Sequence, residues 1–283
     1  MKILVTGSKG QLGQALEHLA PSFPKYQFVC VDKDVLDISS PGDVKGFFKQ
    51  HKPDVLINCA AYTLVDAAED NVQEAMLVNA RGAGILAEAA VRASALMVHI
   101  STDYVFDGQG HRPYKESDSA NPRTVYGKSK LEGELEVLFN AKHSVIIRTS
   151  WLYSRYGHNF MKTILNKART GGSLRVVFDQ TGTPTNADDL AAAIMQVLPN
   201  VPSGARGEVY NFSNEGVCSW YDFAGAIVEI MDLKCAIIPV LTSEFNLPAA
   251  RPHYSVLDKS RIKKDFGLVI PHWRDSLRRC LDR

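Results

Sequence analysis

The segment Ile100-Ser101-Thr102-Asp103-Tyr104-Val105-Phe106-Asp107-Gly108, with Tyr126-Gly127-Lys128-Ser129-Lys130 beyond it, marks where a sheet ends and a helix begins. Before it, Ala95-Leu96-Met97-Val98-His99-Ile100 is a short apolar run of the kind a buried strand carries. Thr102 then falls at that strand's carboxyl end, the edge where open α/β sheets place their ligands. From Val125 to Phe139 apolar residues recur at helical spacing (Leu131, Leu135, Leu138, Phe139), which predicts a helix with Tyr126 and Lys130 on its first turns. At i and i+4 these two share one face. A free phenol titrates near ~10, so an unaided tyrosine is a poor acid–base group at neutral pH. The expectation is that the Lys130 ammonium lowers the Tyr126 pKa by favouring the phenolate. A Thr102 hydroxyl sharing a carbonyl oxygen with that phenol would polarise it. An exposed helical tyrosine beside a solvated lysine is the bland alternative, and the residues upstream weigh against it.

Those residues open with Lys2 to Thr6, strand formers with little alternation, as in a central parallel strand buried on both faces. Gly7-Ser8-Lys9-Gly10-Gln11-Leu12-Gly13 follows, then Leu12, Leu16 and Leu19 at helical spacing. Strand, glycine turn, helix is the context a dinucleotide fingerprint requires. Gly7 permits the turn, Gly10 admits a pyrophosphate to the backbone, Gly13 lets helix and strand approach, and the helix N-terminus offers free N–H groups to phosphate. The spacing is G-x-x-G-x-x-G, a variant of the more familiar pattern. A second strand, Phe28 to Val31, ends in Asp32, placed to bind an adenosine ribose 2′-hydroxyl as NADH requires. Lys33 beside it suits the 2′-phosphate of NADPH equally, so both cofactors stay open. Asp37-Ile38 precedes a helix capped by Ser39 or Ser40 with Pro41 in its first turn.

Asp54 to Asn58 reads as a third strand, running into Cys59-Ala60-Ala61-Tyr62, where small residues let a flat ligand pass close to the backbone. The alanine-rich stretch to Ala95 has helical period, with Asn79 as the odd residue in its apolar stripe: a core amide, or a brace for a neighbouring loop. Val145 to Arg148 is a further strand, and Trp151 follows at the same sheet edge. Packing is the commoner role for such a tryptophan, although an indole is also a natural wall for a sugar ring. Past Tyr156 the alternation becomes irregular, with helices over Phe160–Arg169, Ala187–Val197, Trp220–Met231 and Pro271–Leu281, and strands over Leu174–Phe178 and Glu208–Phe212. The prediction is an α/β fold: a Rossmann-type doubly wound parallel sheet over residues 1–155, joined by return segments from the C-terminal half. Residues 156–283 form mainly a smaller substrate-binding lobe, with no clean linker between.

Composition narrows the function. With 45% hydrophobic and 22% charged residues over 283 positions the chain reads as an ordinary globular protein. A net charge of +1 gives no reason to expect nucleic acid or an anionic membrane as partner. No apolar stretch of membrane-spanning length and no signal peptide stands out. The five cysteines are scattered and form no C-x-x-C, which fits reduced thiols in a cytoplasmic protein.

The glycine turn, Asp32, Thr102, Tyr126 and Lys130 together resemble an extended short-chain dehydrogenase/reductase. Within that superfamily the chain resembles the dTDP-4-dehydrorhamnose reductase family over nearly its whole length. Gly10–Gly13, Ala60–Asp66, Ser101–Gly108, Arg148–Tyr153, Asn159-Phe160, Asp179–Thr185 and Ala250–Tyr254 all match family blocks. The resemblance implies the last step of dTDP-L-rhamnose synthesis, for cell-surface polysaccharide: hydride from NADPH or NADH to C4 of the dTDP-4-dehydro sugar, and a proton from Tyr126. By the same carry-over Lys130 holds the nicotinamide ribose and tunes Tyr126, Thr102 orients the keto oxygen, and Asp103 and Trp151 contact the sugar. Gly7, Gly10, Gln11, Leu12, Gly13, Asp32, Asp37, Ile38 and the Ala60-Ala61-Tyr62-Thr63 loop line the cofactor. Arg251, in a loop similar to the family's substrate loop, is matched to the diphosphate, whose oxygens a guanidinium fits in geometry. Some members dimerise around a magnesium ion held by acidic residues, one of them at the position that is Ala15 here, and the last predicted helix closes near Arg283. The expectation is therefore no structural metal, and a monomer or weak homodimer. Two other functions suit the scaffold: a nucleotide-sugar epimerase or dehydratase, and a non-catalytic NADP-binding regulatory subunit like that of methionine adenosyltransferase. Dehydratases usually carry an acidic pair after the threonine, whereas Asp103 is followed here by Tyr104. The intact Thr102, Tyr126 and Lys130 argue against a pure binding subunit.

Overall fold

The computed structural model describes residues 1–202 and 207–282. Among them, six strands make one central sheet. They are β1 (Lys2–Thr6), β2 (Gln27–Val31), β3 (Val55–Asn58), β4 (Leu96–Thr102), β5 (Ser144–Thr149) and a late strand, Glu208–Phe212. Their order is Glu208–Phe212, β5, β4, β3, β1, β2, and every pairing is parallel. Ile3, Leu4 and Val5 are all fully buried because helices cover both faces. The helices Gln11–Leu19 and Ala187–Val197 bring Leu12, Leu16, Leu190 and Ile194 against Ile3, Val5, Ile57 and Val98. On the opposite face Pro41–His51, Gly82–Arg92 and Val125–Asn140 bring Val44, Leu86, Ala87 and Val137 against Leu4, Leu56, Met97 and Ile146. Because β1 has β2 on one side and β3 on the other, the chain reverses its direction across the sheet between them, and ligands bind at such a switch point.

The C-terminal half contributes to both bodies. Helix Ala187–Val197, strand Glu208–Phe212 and helix Ser260–Phe266 join the sheet's core, whereas Phe160–Ala168, Trp220–Ile230 and Trp273–Leu281 pack around Phe223 in a core of their own. Against these lies a two-stranded parallel pair, Gly172–Val177 with Cys235–Val240. The second of these strands and helix Ser260–Phe266 carry no clear period and escape sequence reading. The last helix begins at Trp273, with His272 as its cap, and Pro271 lies outside it.

Both helical stretches form, with two features that periodicity does not show. The alanine-rich stretch is not one helix. It divides into Val65–Asp70, Val72–Met76, a π-helical turn over Leu77–Arg81, and Gly82–Arg92. The extra residue of the π turn presents Asn79 to Tyr62, whose backbone it grips at both ends: Nδ2 donates to the Tyr62 carbonyl (3.0 Å) and Oδ1 accepts from the Tyr62 N–H (2.8 Å). Nor is the leucine stripe of Val125–Asn140 its buried face. Leu135 and Phe139 are exposed, and the helix buries Gly127, Ser129, Lys130, Gly133, Glu134 and Val137. Backbone proximity overrides periodicity there. A Cβ at Gly127 would fall 2.3 Å from the Tyr104 carbonyl oxygen, and one at Gly133 would fall 2.1 Å from that of Asn79.

Gly133→Ala should therefore lower unfolding free energy by about 3 kcal/mol, at the upper end of overpacking costs. Gly46→Ala, in helix Pro41–His51 where an added Cβ meets nothing within 4 Å, should instead raise it by up to about 1 kcal/mol through helix propensity. Denaturant unfolding of the two variants side by side checks the contrast.

Candidate active site

The carboxyl ends of the parallel strands open into a cavity of about 900 Å³. One end of it is the glycine turn. Gly7 leaves β1 at φ 68°, and a Cβ there would lie 2.6 Å from the backbone nitrogen of Ala60, across the switch point. At Gly13 a Cβ would fall 2.4 Å from the Gly7 carbonyl oxygen. Gly10 is the N-cap of helix Gln11–Leu19 and no side chain caps it, so the first-turn N–H groups of this cavity-lining stretch remain available to an anion.

Asp32 sits at the end of β2 with its carboxylate fixed by two backbone donors, Lys9 N–H (2.9 Å) and Lys33 N–H (2.8 Å). The Lys9 ammonium is turned to Asp34 (2.9 Å). Asp37 accepts from both the hydroxyl and the N–H of Ser39, which hold its carboxyl below the usual range. Ile38 beside it is buried. Ala60, Ala61, Tyr62 and Thr63 make the facing wall. A cradle that side chains would fill, an uncapped helix terminus and a fixed carboxylate at the end of β2 fit a dinucleotide's pyrophosphate and ribose.

At the far end Thr124 caps helix Val125–Asn140 by accepting from the Gly127 N–H (3.0 Å), which sets Tyr126 in the first turn. Thr102, at the end of β4, accepts from the Tyr104 N–H (3.2 Å) and donates to Asp103 Oδ1 (2.9 Å). Burial pushes the Tyr126 phenol up to about 12, with the Thr102 hydroxyl drawing it back and the Asp103 charge adding to the rise. Asp103 is 4% exposed, and among the described residues its Oδ2 has no hydrogen-bond partner. Burial lifts its carboxyl to about 6 against the pull of the Thr102 and Ser255 hydroxyls.

Every residue predicted from the sequence lines this cavity except Arg251. Gly7, Gly10, Gln11, Leu12, Gly13, Asp32, Asp37, Ile38, Ala60, Ala61, Tyr62, Thr63, Thr102, Asp103, Tyr126, Lys130 and Trp151 all do. Arg251 is bound to Asp66 (2.5 Å) and to the Ala249 carbonyl (3.1 Å), so its guanidinium is engaged outside the cavity wall. A correction concerns the effect of Lys130 on Tyr126. Its Nζ donates to the Ile100 carbonyl (2.6 Å), and burial pulls its pKa down to about 8 while Glu134 acts to restore it. With Lys130 directed there, desolvation of the phenol prevails and Tyr126 stays protonated.

Sequence reading also missed partners. Gln11 reaches across to the second half, donating to the Leu152 carbonyl (3.2 Å) and accepting from Ser154 (2.9 Å) and Asn159 (2.9 Å). Asn159 in turn caps helix Phe160–Ala168, tying the phosphate turn to the lobe. Trp151, held at φ 47°, stacks on Trp220 with ring centroids 3.6 Å apart, and Trp220 also lines the cavity. Nothing in local spacing marks Trp220, which simply opens a helix behind Ser219.

Beneath the site Glu134 receives Arg148 through both oxygens (2.8 and 2.6 Å), with side-chain exposures of 2% and 7%. Glu134→Ala leaves a buried guanidinium unpaired and should cost about 3–5 kcal/mol, read from the denaturation midpoint.

The model of one protein family, described as the RmlD substrate binding domain, matches residues 1–283. The spore coat polysaccharide biosynthesis protein SpsK of Bacillus subtilis strain 168 is 42% identical over 280 residues, covering 99% of this chain and 96% of that protein. The dTDP-4-dehydrorhamnose reductase of Aggregatibacter actinomycetemcomitans is 40% identical over 285 residues, covering 98% and 97%. The crystal structure of dTDP-4-dehydrorhamnose reductase from Bacillus anthracis strain Ames in complex with NADP superposes with a TM-score of 0.95 at 37% identity, over 99% of this chain and 98% of that one. Matched along its entire length in both sequence and fold, the chain belongs to the RmlD substrate binding domain family, the family of the dTDP-4-dehydrorhamnose reductases.

Proposed function

We propose that this chain reduces dTDP-4-dehydro-β-L-rhamnose to dTDP-L-rhamnose, with NADPH or NADH as reductant. The observation that carries the reading is the meeting of Thr102, Asp103, Tyr126 and Lys130 in a cavity whose other end is a glycine phosphate cradle. Bound there, a reduced nicotinamide supplies the hydride that C4 of the sugar accepts. As the keto oxygen gains charge, the Tyr126 O–H donates its proton to it. A phenol that burial holds protonated is in the correct state for a donor. Lys130 uses one N–H on the Ile100 carbonyl and has two left for a ribose hydroxyl. Its ammonium, when present, favours the phenolate that proton donation leaves behind. Thr102 must turn its hydrogen from Asp103 to polarise the keto oxygen. The unpartnered Oδ2 of Asp103 would accept from a sugar hydroxyl, with Trp151 as the wall behind the ring. Arg251 is assigned to the diphosphate, and the smaller lobe built from residues 156–283 covers the sugar nucleotide.

Among the described residues no helix is long and apolar enough to cross a membrane, the cysteines are free thiols, and no three His, Cys, Asp or Glu side chains converge as metal ligands. Ala15 lies in the core beneath the sheet. We place the reaction in the cytoplasm and take the working form to be a monomer or weak homodimer. Sedimentation velocity should give the same distribution with and without a chelator.

The test is oxidation of NADPH and of NADH by purified protein on dTDP-4-dehydrorhamnose generated in situ. Tyr126→Phe should lower kcat by about 10²–10⁴-fold, the usual worth of a positioned proton donor, while still binding dinucleotide. Wild-type protein that binds a dinucleotide yet turns over with neither would overturn the assignment.

The pH profile is a separate check. Asp103 is ionised above about 6 and Lys130 is charged below about 8, so the kcat/KM of the free enzyme should be bell-shaped between those limbs. Tyr126, at about 12, contributes no limb in that window. Asp103→Asn should remove the acid limb.

A further inference from the structure

The short helix Val65–Asp70 continues directly from the Ala60–Thr63 wall of the dinucleotide cavity. Two of its carboxylates reach distant parts of the chain. Asp66 accepts from the Arg251 guanidinium (2.5 Å) through one oxygen and from the Ala249 N–H (3.2 Å) through the other. Glu69 accepts from the N–H of Val125 (2.9 Å), the residue before Tyr126. The segment is also fixed from its cofactor side. Asn79 grips the Tyr62 backbone and donates to Ser129 (2.9 Å), whose hydroxyl donates to the Tyr126 carbonyl (2.8 Å). Tyr104, which lies on the cavity wall, meets Tyr126 edge-on at 5.5 Å and feels the charges of both Arg251 and Asp66. The stretch from Tyr62 to Asp70 thus touches the cofactor wall, the helix that bears Tyr126 and the loop that bears Arg251.

Among the described residues, Arg251's guanidinium bonds to Asp66 and the Ala249 carbonyl. Its loop is flanked by Pro248 and Pro252, each of which fixes its own φ. Asp66 is therefore one of the anchors of this loop, beside the backbone bonds that Thr181 makes to His253 and Tyr254 makes to Gly108.

We propose that helix Val65–Asp70 couples the two ligand sites, with Asp66 as the positioning residue that sets the Arg251 loop for the diphosphate of a nucleotide sugar and Glu69 as the one that seats the Tyr126 helix. The proposal rests on the reductase reading above. A dinucleotide held against Ala60–Thr63 immobilises the base of this helix, so a nucleotide diphosphate binds more tightly to the cofactor-loaded protein, and by linkage the cofactor gains the same factor.

The experiment is calorimetric titration of the full chain with dTDP, with and without NADP⁺, for wild type, Asp66→Asn and Asp66→Glu. Thermal unfolding checks that the variants are folded. Wild type should bind dTDP about tenfold more tightly when NADP⁺ is present, within the usual range of coupling between sites. Asp66→Asn should bring that factor close to unity while binding NADP⁺ as wild type does, and Asp66→Glu should recover most of it. In kinetics the Asp66→Asn loss should fall on KM for the nucleotide sugar and not on KM for the cofactor, a split that general loosening of the fold does not produce. Equal dTDP affinity with and without NADP⁺ in wild type, or coupling that survives Asp66→Asn, overturns the coupling alone. Wild-type protein that binds NADP⁺ but no dTDP under either condition overturns the reductase reading and the coupling with it.

Discussion

The docking of helix Val125–Asn140 onto the sheet is a constraint of backbone against backbone. Gly127 lies on the Tyr104 carbonyl and Gly133 on that of Asn79, at distances no side chain permits. Almost everything in the site depends on this approach. It carries Lys130 deep enough for its ammonium to reach the Ile100 carbonyl on β4 and Glu134 deep enough to receive Arg148 from β5. It also sets Tyr126 beside Thr102, because the same first turn is pinned by Thr124 and by Glu69. A helix resting on leucine side chains would stand a layer farther out, and the phenol would not meet the strand ends.

That depth determines the electrostatics. Lys130, Glu134, Arg148 and Asp103 are all nearly inaccessible to water, and the two cations and two carboxylates balance in formal charge. The balance is uneven in geometry. Glu134 is committed through both oxygens to Arg148, so it restores only part of what burial removes from Lys130. The lysine is left close to the point of losing its proton, and an arriving dinucleotide with its anionic phosphates would favour keeping it. Asp103 is poised in the opposite sense, with one oxygen satisfied by Thr102 and the other waiting for a donor. Both groups are thus left with bonding capacity facing the cavity.

Much of this was legible in the sequence because it is written locally. A strand, a glycine turn and a helix succeed one another within Lys2–Leu19, and an acidic residue at the end of the next strand needs no tertiary information to be noticed. The Thr102, Tyr126 and Lys130 set was equally readable, since its spacing is a property of one strand end and one helix. What periodicity could not supply is the face a helix buries when its neighbours come close enough to exclude side chains. Leu131, Leu135, Leu138 and Phe139 obey helical spacing perfectly well, yet Gly127 and Gly133 on the same helix decide the contact, and Leu135 and Phe139 face solvent. The π turn at Asn79 was hidden for a related reason. Its cause is a pair of hydrogen bonds to Tyr62, and no local pattern announces them. Trp220 and Gln11 likewise act through partners more than a hundred positions away in Gln11's case, across the cleft between the sheet and the lobe.

Arg251 shows how residue chemistry and residue placement separate. Its guanidinium fits a diphosphate, but the same planar fork fits a carboxylate, and Asp66 is the carboxylate within reach. A cation cannot be left bare in a partly buried setting without cost, since an unpaired charge there is poorly solvated. Pairing it with Asp66 solves that problem and has a structural consequence. The Arg251 loop is then anchored to helix Val65–Asp70 and not only to its own lobe, which it meets through the Thr181–His253 and Ser255–Thr181 backbone bonds. The Arg251 loop is therefore held from both helix Val65–Asp70 and the smaller lobe, so the placement of the Ala60–Thr63 wall and that of the lobe are set together.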